Sequence, residues 1–403
     1  MAITIYSSPL INYGGYMPAN NEQWFVAISD KVANPNFKYR VVITQFPTGQ
    51  SLVYDIPPRP ITNDVEFDAL NFAKRFSDHF IPNSSVAINN YGFIACSNCL
   101  NTLNVNIGEV YGNTPVYYSG INEQYNVWNA CLDFNLFAYY ATNNLLYDKA
   151  NKILNHLTKI KETVVYPIRS NYLYTLSYGV NLSRLTGIKI KSYLNGNQVG
   201  LIKTIPNPIV AATYGDYYTC IDVGLKGLMN IPSSLITGGG TALSNLADSY
   251  EVLDAFNDSV IMKCKIGCSY YTVYSLHYLN QYGGFDTLHC SLSSTSTSNK
   301  TTSTVKRNAW TRVNNIKKID PSLTVERVVE TSIQDTLKLT SNWLNESELF
   351  AHRDLFMSPV VYLDSGNGLV SVKVNSQSYS PVTPDFLRNI TLEISFTYQS
   401  NRQ

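Results

Sequence analysis

Seven cysteines and five histidines are the residues of this 403-residue chain best suited to chemistry, and their spacing decides which chemistry is open. Cys96-Ser-Asn-Cys99 and Cys264-Lys-Ile-Gly-Cys268 are two paired-thiol segments that together could bind zinc tetrahedrally. The second pair has one residue too many for the usual knuckle, and the pairs lie far apart in the chain. Cys96 and Cys99 could instead form a redox pair, but no thioredoxin-like βαβ pattern surrounds them. The reading taken is of free thiols packed as small hydrophobes, with no metal ligand assigned. The sequence leaves open whether either pair binds a metal. His79, His156, His277, His289 and His352 are scattered and form no His-Glu-x-x-His or similar spacing. His289-Cys290 suggests a Cys–His nucleophile, yet sequence neighbours in a strand point to opposite faces.

The remaining candidates are equally bare. Glu326 with Glu330, or Asp364 beside a hairpin, would make a glycosidase dyad only at the right separation in space. Gly238-Gly239-Gly240 lacks the Lys-Ser/Thr that completes a phosphate-binding loop. Tyr117-Tyr118, Tyr139-Tyr140 and Tyr217-Tyr218 could stack on sugars, but read first as core and interface residues. No catalytic residue and no cofactor follows, and the chain is expected not to be an enzyme.

The elements that would position such residues are mostly strands. Charged residues are 15% of the chain, low for a globular protein, and thirty Tyr with many Asn, Ser and Thr fill the difference. Tyr and Thr favour strands, while Asn and Gly supply tight turns. Gln23–Ser29, Phe37–Ile43 and Gln50–Ile56 are β-rich runs, and Pro57, Pro58 and Pro60 force an extended link after them. Leu145, Leu146, Ala150, Ile153, Leu154 and Leu157 recur at helical spacing. Asn195-Gly196 between strand-like runs predicts a type I′ hairpin. Asn345 with Glu348 predicts a capping box opening a helix, which Ser358-Pro359 ends. The fold class is mainly β with minor α: tandem β-sandwich-like domains plus a C-terminal α+β segment. The expected division is a sandwich over 1–122, a central β-rich domain with a short helix over 123–290, a Ser/Thr-rich loop or linker over 291–308, and a strand-helix-hairpin segment over 309–403.

The formal net charge is +1, with no block of like charges, so a dedicated nucleic-acid-gripping surface is not predicted. The chargeless run from Phe80 to Gly108 is studded with Asn, which excludes a membrane span. The amino terminus, Met1-Ala-Ile-Thr-Ile-Tyr, has neither the basic nor the apolar part of a signal peptide. No membrane insertion is expected.

Two stretches carry a family signal. One is Tyr278-Leu-Asn-Gln-Tyr-Gly-Gly-Phe-Asp286, which follows a strand. The other runs from Leu337 to Thr397 through Leu355-Phe-Met-Ser-Pro-Val-Val-Tyr-Leu and a closing hairpin and strand. With Asn36-Phe-Lys-Tyr-Arg-Val-Val-Ile, they resemble tail structural proteins of tailed bacteriophages of gut bacteria, including the crAss-like group. Within the motif, Gly283-Gly284 gives a turn that β-carbons would obstruct, before Phe285, and Asp286 is expected to lock it by accepting backbone amides. The resemblance implies a non-catalytic ring, hub or adaptor subunit in the virion, assembled in the host cytoplasm. It further implies six or twelve copies, contacts with other tail proteins, and at most passive contact with genome DNA in the channel. Ser291–Ser303 would be an intersubunit arm or a mobile loop. The alternative function is a receptor- or carbohydrate-binding tail fibre or adhesin module.

Overall fold

Alternation of apolar and polar residues builds the first layer. In strand Lys38–Phe46, Tyr39, Val41 and Ile43 are buried while their neighbours are not, and Leu100–Tyr111 buries Leu103, Val105 and Ile107 in the same rhythm. A five-stranded sheet results, in the order Tyr16–Pro18, Val116–Trp128, Leu100–Tyr111, Lys38–Phe46, Ser51–Ile56. A three-stranded sheet places Trp24–Ser29 between Ile3–Ser7 and Asp64–Asp68. Phe25, Ala27 and Val65 from the small sheet share one core with Tyr39, Val41, Leu103, Ile107 and Tyr125 from the large one, which makes a sandwich.

This computed structural model describes residues 3–13, 15–46, 48–82, 92–96, 99–113, 116–133, 135, 137, 156–177, 186–208, 217–255, 257–306, 310–319, 326–366, 368–375, 388–397 and 400–402. The chain is mainly β with a few short helices. It divides into two compact units, Met1–Cys268 with Tyr278–Thr287, and Ser269–His277 with Leu288–Gln403. In the first unit the sandwich is followed by a six-stranded sheet containing Gly187–Leu194, Ser249–Asp254 and Val260–Ile266, and by a three-stranded sheet of Tyr172–Ser177, Tyr217–Asp222 and Ile94–Ala95. Asn195 and Gly196 take φ of 51° and 78°, the geometry that the hairpin Gly187–Leu194/Asn197–Gln198 requires.

In the second unit, strands Val361–Asp364, Leu369–Val374, Thr391–Phe396, Glu326–Thr340 and Thr295–Lys306 lie in that order within an eight-stranded sheet. Helix Glu346–Ala351 starts on the expected capping box. Asn345 accepts from the Glu348 amide at 2.9 Å, and Glu348 accepts from the Asn345 amide at 2.7 Å.

Two expected boundaries are corrected. Strand Val116–Trp128 runs straight through the position expected to end the first domain at residue 122, because its partners, Leu100–Tyr111 and Tyr16–Pro18, belong to the first sandwich. The Ser/Thr segment expected as a loop over 291–308 is mostly strand Thr295–Lys306, in register with Glu326–Thr340 from Thr295↔Lys338 to Lys306↔Glu326. Polarity suggested a loop, but Thr has a β-branched side chain suited to a pleated surface, and pairing satisfied the backbone. The amphipathic helix expected from Leu145 lies, up to residue 155, outside the described residues, as do Tyr139 and Tyr140.

Candidate functional site

The family-like motif forms a turn on which four distant segments converge. Strand Tyr274–Leu279 ends at Asn280, whose backbone exchanges bonds across the turn: its amide donates to the Gly284 carbonyl at 2.9 Å, and its carbonyl accepts from the Gly283 amide at 3.1 Å. The Asn280 side chain accepts from the Tyr282 amide at 2.9 Å and donates to the Leu157 carbonyl at 2.7 Å. Asn280 thus braces the turn through both its backbone and its side chain. Asp286 is buried and accepts a bond from the Thr158 hydroxyl, which ties the strand after the turn to a remote segment.

Both glycines are needed for close approach. A Cβ on Gly283 would lie 2.7 Å from the Asn129 carbonyl oxygen and 3.0 Å from Trp128 Cδ1, and its φ is +97°. A Cβ on Gly284 would lie 2.6 Å from the Leu157 carbonyl oxygen and 3.0 Å from Tyr174 Cβ. The walls donate to the turn. Trp128 Nε1 reaches the Tyr282 carbonyl at 2.9 Å, the Tyr218 hydroxyl reaches the Gly283 carbonyl at 2.5 Å, and the Cys131 amide reaches the Gln281 carbonyl at 2.9 Å. Phe285 is buried beside Tyr174, ring centroids 5.9 Å apart. This arrangement is a structural staple, closed to a substrate.

The thiols are spread otherwise than the two-pair reading supposed. Cys96 neighbours Cys220, since Ile94 pairs with Cys220 in the same small sheet. Cys96, Cys99, Cys220, Cys264 and Cys290 are buried, and Cys131 and Cys268 are exposed. Burial pushes the Cys99, Cys264 and Cys290 thiols up to about 12, which keeps them protonated and poor as ligands or nucleophiles. Among the described residues no group of three or more His, Cys, Asp or Glu is arranged to hold a metal ion.

His289 does have a hydroxyl partner that sequence did not suggest: its Nδ1 lies 2.8 Å from Ser275 Oγ. Ser275 is wholly buried and His289 nearly so, which denies a substrate any access to the pair. Burial also holds His156 down to about 3 and His352 down to about 4. Glu326 and Glu330 sit four residues apart on one strand, roughly 13 Å along it, beyond the carboxylate spacing of about 5–9.5 Å that glycosidases use. Asp364 caps its own turn through the Gly366 amide at 2.6 Å. Gly238, Gly239 and Gly240 all take positive φ, and the Gly239 carbonyl accepts from Lys203 at 2.8 Å. Tyr218 is core, whereas Tyr117 and Tyr118 are exposed, Tyr117 lying under Arg40 at 5.5 Å.

One cleft of about 600 Å³ opens in the first unit, between Pro167, Ile168, Leu225, Met229, Leu243 and Ile266, with Lys226 and Asn230 among its polar groups. Ile168 stands at its lip with φ of +62°, an uncommon conformation for a β-branched residue. The loop is held from beneath by Asp222, which accepts from the Asn171 and Gly224 amides at 2.9 Å each. Burial drives the Asp222 carboxyl up to about 6 against those bonds. Among the described residues the cleft lining has no carboxylate, imidazole or thiol, so it is equipped for apolar contact and not for acid–base work.

Strand Thr295–Lys306 forms an exposed ribbon with Glu326–Thr340. All twelve residues of the first strand are exposed, Ser303 among them, opposite Glu330, whereas Ser291 is buried and its carbonyl accepts from Ser269 at 2.8 Å. Between the paired ends Lys306 and Glu326 the chain carries a second hairpin, Trp310–Val313 with Ile316–Ile319. Among the described residues no helix is long and apolar enough to cross a membrane. No protein-family model matches the chain, and no curated protein sequence does either.

Proposed function

We propose that this chain is a structural subunit of a bacteriophage tail: a ring, hub or adaptor protein that assembles with copies of itself and with other tail proteins, not an enzyme. The ribbon is the observation that carries the reading. Its first strand is the terminal strand of its sheet, and its outer edge has no partner strand among the described residues. A two-stranded ribbon is marginally stable alone, and a long uncovered edge is a template for another chain. Val305, Val328 and Val329 on it are each about half exposed. At about 3.3 Å per residue the twelve-residue strand offers an edge roughly 40 Å long. The tail-protein resemblance of Tyr278–Asp286 points the same way, as do buried ionisable groups engaged in structural bonds.

Mass photometry with negative-stain imaging of the purified protein tests this. Rings of six or twelve copies are expected. Val305→Thr/Val328→Thr/Val329→Thr keeps shape and strand propensity, leaves folding within about 0.5 kcal/mol, and is expected to shift the rings towards monomer. A wild-type protein that stays monomeric at high concentration and is missing from purified virions refutes the proposal.

A further inference from the structure

The near-neutral chain is strongly polarised. The 24 residues from Val305 to Val328 contain six Lys or Arg against two Asp or Glu, a net charge of +4, while the whole chain carries +1. The basic residues come singly or in adjacent pairs, Lys306-Arg307 and Lys317-Lys318, so no long run of like charges marks this in the sequence. The fold gathers three of them on one hairpin. In the hairpin Trp310–Val313/Ile316–Ile319, Arg312 pairs with Lys317 and Thr311 with Lys318, and Asn314 and Asn315 form the turn with φ of 51° and 61°. Side chains alternate between the faces of a strand, so Arg312 and Lys317 share one face and Lys318 stands on the other. Arg312, Lys317 and Lys318 are exposed, as are Val313, Ile316 and Ile319.

Cations on both faces distinguish between partners. A hairpin lying flat on an acidic protein or an anionic membrane needs positive charge on one face only. A hairpin standing in a groove between two rails of phosphate needs it on both. The major groove of duplex DNA, about 12 Å wide, admits a two-stranded ribbon and is bordered by phosphates on each side. We propose that the hairpin Trp310–Ile319 enters the major groove of double-stranded DNA. Arg312 and Lys317 contact one phosphate strand and Lys318 the other, with the Asn314-Asn315 turn towards the groove floor. Binding is driven by the backbone and is indifferent to sequence. It requires no ring, so a monomer would show it, and its failure would leave the assembly proposal standing.

The test is fluorescence anisotropy of the full chain with a labelled mixed-sequence 20-base-pair duplex, titrated between 50 and 200 mM NaCl. Three phosphate contacts predict affinity falling about 40-fold across that range. Arg312→Ser/Lys317→Ser/Lys318→Ser is expected to abolish most of this salt dependence, while Lys31→Ser/Lys38→Ser/Lys265→Ser, which removes three exposed cations elsewhere, keeps it. Four results overturn the proposal: no duplex binding at 50 mM NaCl, an unchanged salt slope in the hairpin variant, equal losses in both variants, or hairpin-dependent binding to phosphatidylglycerol vesicles without binding to duplex.

Discussion

Replacing Gly283 by Ala probes the staple directly. Two costs can be worked from the geometry. A side chain at φ of +97° is strained, by about 1–2 kcal/mol as in left-handed backbone generally. The new methyl would also sit 2.7 Å from the Asn129 carbonyl oxygen, so turn and wall must part by roughly half an ångström or more. That movement acts on the Trp128–Tyr282 and Tyr218–Gly283 hydrogen bonds, and each buried group left unsatisfied costs about 1–3 kcal/mol. The sum is about 3–8 kcal/mol, a large part of the roughly 5–15 kcal/mol that keeps a domain folded. Two companions separate the causes. Gly196→Ala meets positive φ of +78° with nothing within 4 Å, so it reports backbone strain alone. Gly284→Ala has no positive φ but meets the Leu157 carbonyl oxygen at 2.6 Å, so it reports the close approach alone. Urea unfolding followed by Trp fluorescence should rank Gly283→Ala as the most destabilised and Gly196→Ala as the least. If Gly283→Ala costs no more than Gly196→Ala, the turn is not a close-packed staple.

Two further outcomes are expected. Asp222 has its pKa raised from 3.8 to about 6, so the native state holds a proton that the unfolded state has released; the resulting stability is full below pH 3.8 and is lost, by about 3 kcal/mol, as pH rises through 6. His352 has its pKa lowered from 6.5 to about 4, and its contribution is full above pH 6.5 and lost by a similar amount as pH falls to 4. Thermal melts between pH 4 and 7 should therefore change in opposite senses in Asp222→Asn and His352→Gln, each variant lacking one slope. Of the seven cysteines, the exposed Cys131 and Cys268 should react quickly with Ellman's reagent in the native protein, and the five buried ones only on unfolding. Fast reaction of Cys96 or Cys99 would contradict their burial.

Local chemistry was legible residue by residue. The hairpin at Asn195-Gly196, the capping box at Asn345 and Glu348, and the alternation of Lys38–Phe46 follow from φ preference, side-chain reach and strand periodicity. These act over a few residues and need no partner from elsewhere. Thr295–Lys306 marks the limit: polarity suggested a loop, and only pairing with Glu326–Thr340 made it a strand. The first domain boundary failed for the same reason, since the edge of a sandwich is set by which strands pair.

From the sequence alone came a mainly β chain, turns at particular glycines and asparagines, and a Gly-Gly motif intolerant of β-carbons. Tertiary structure alone decided what those glycines face: the carbonyls of Asn129 and Leu157, more than a hundred residues away in the chain. It also set Cys96 beside Cys220, buried Asp222 among amides, and gathered Arg312, Lys317 and Lys318 on one hairpin of an otherwise near-neutral protein. Periodicity constrains which face of a strand is apolar, but it carries no record of the distant backbone that the face will meet.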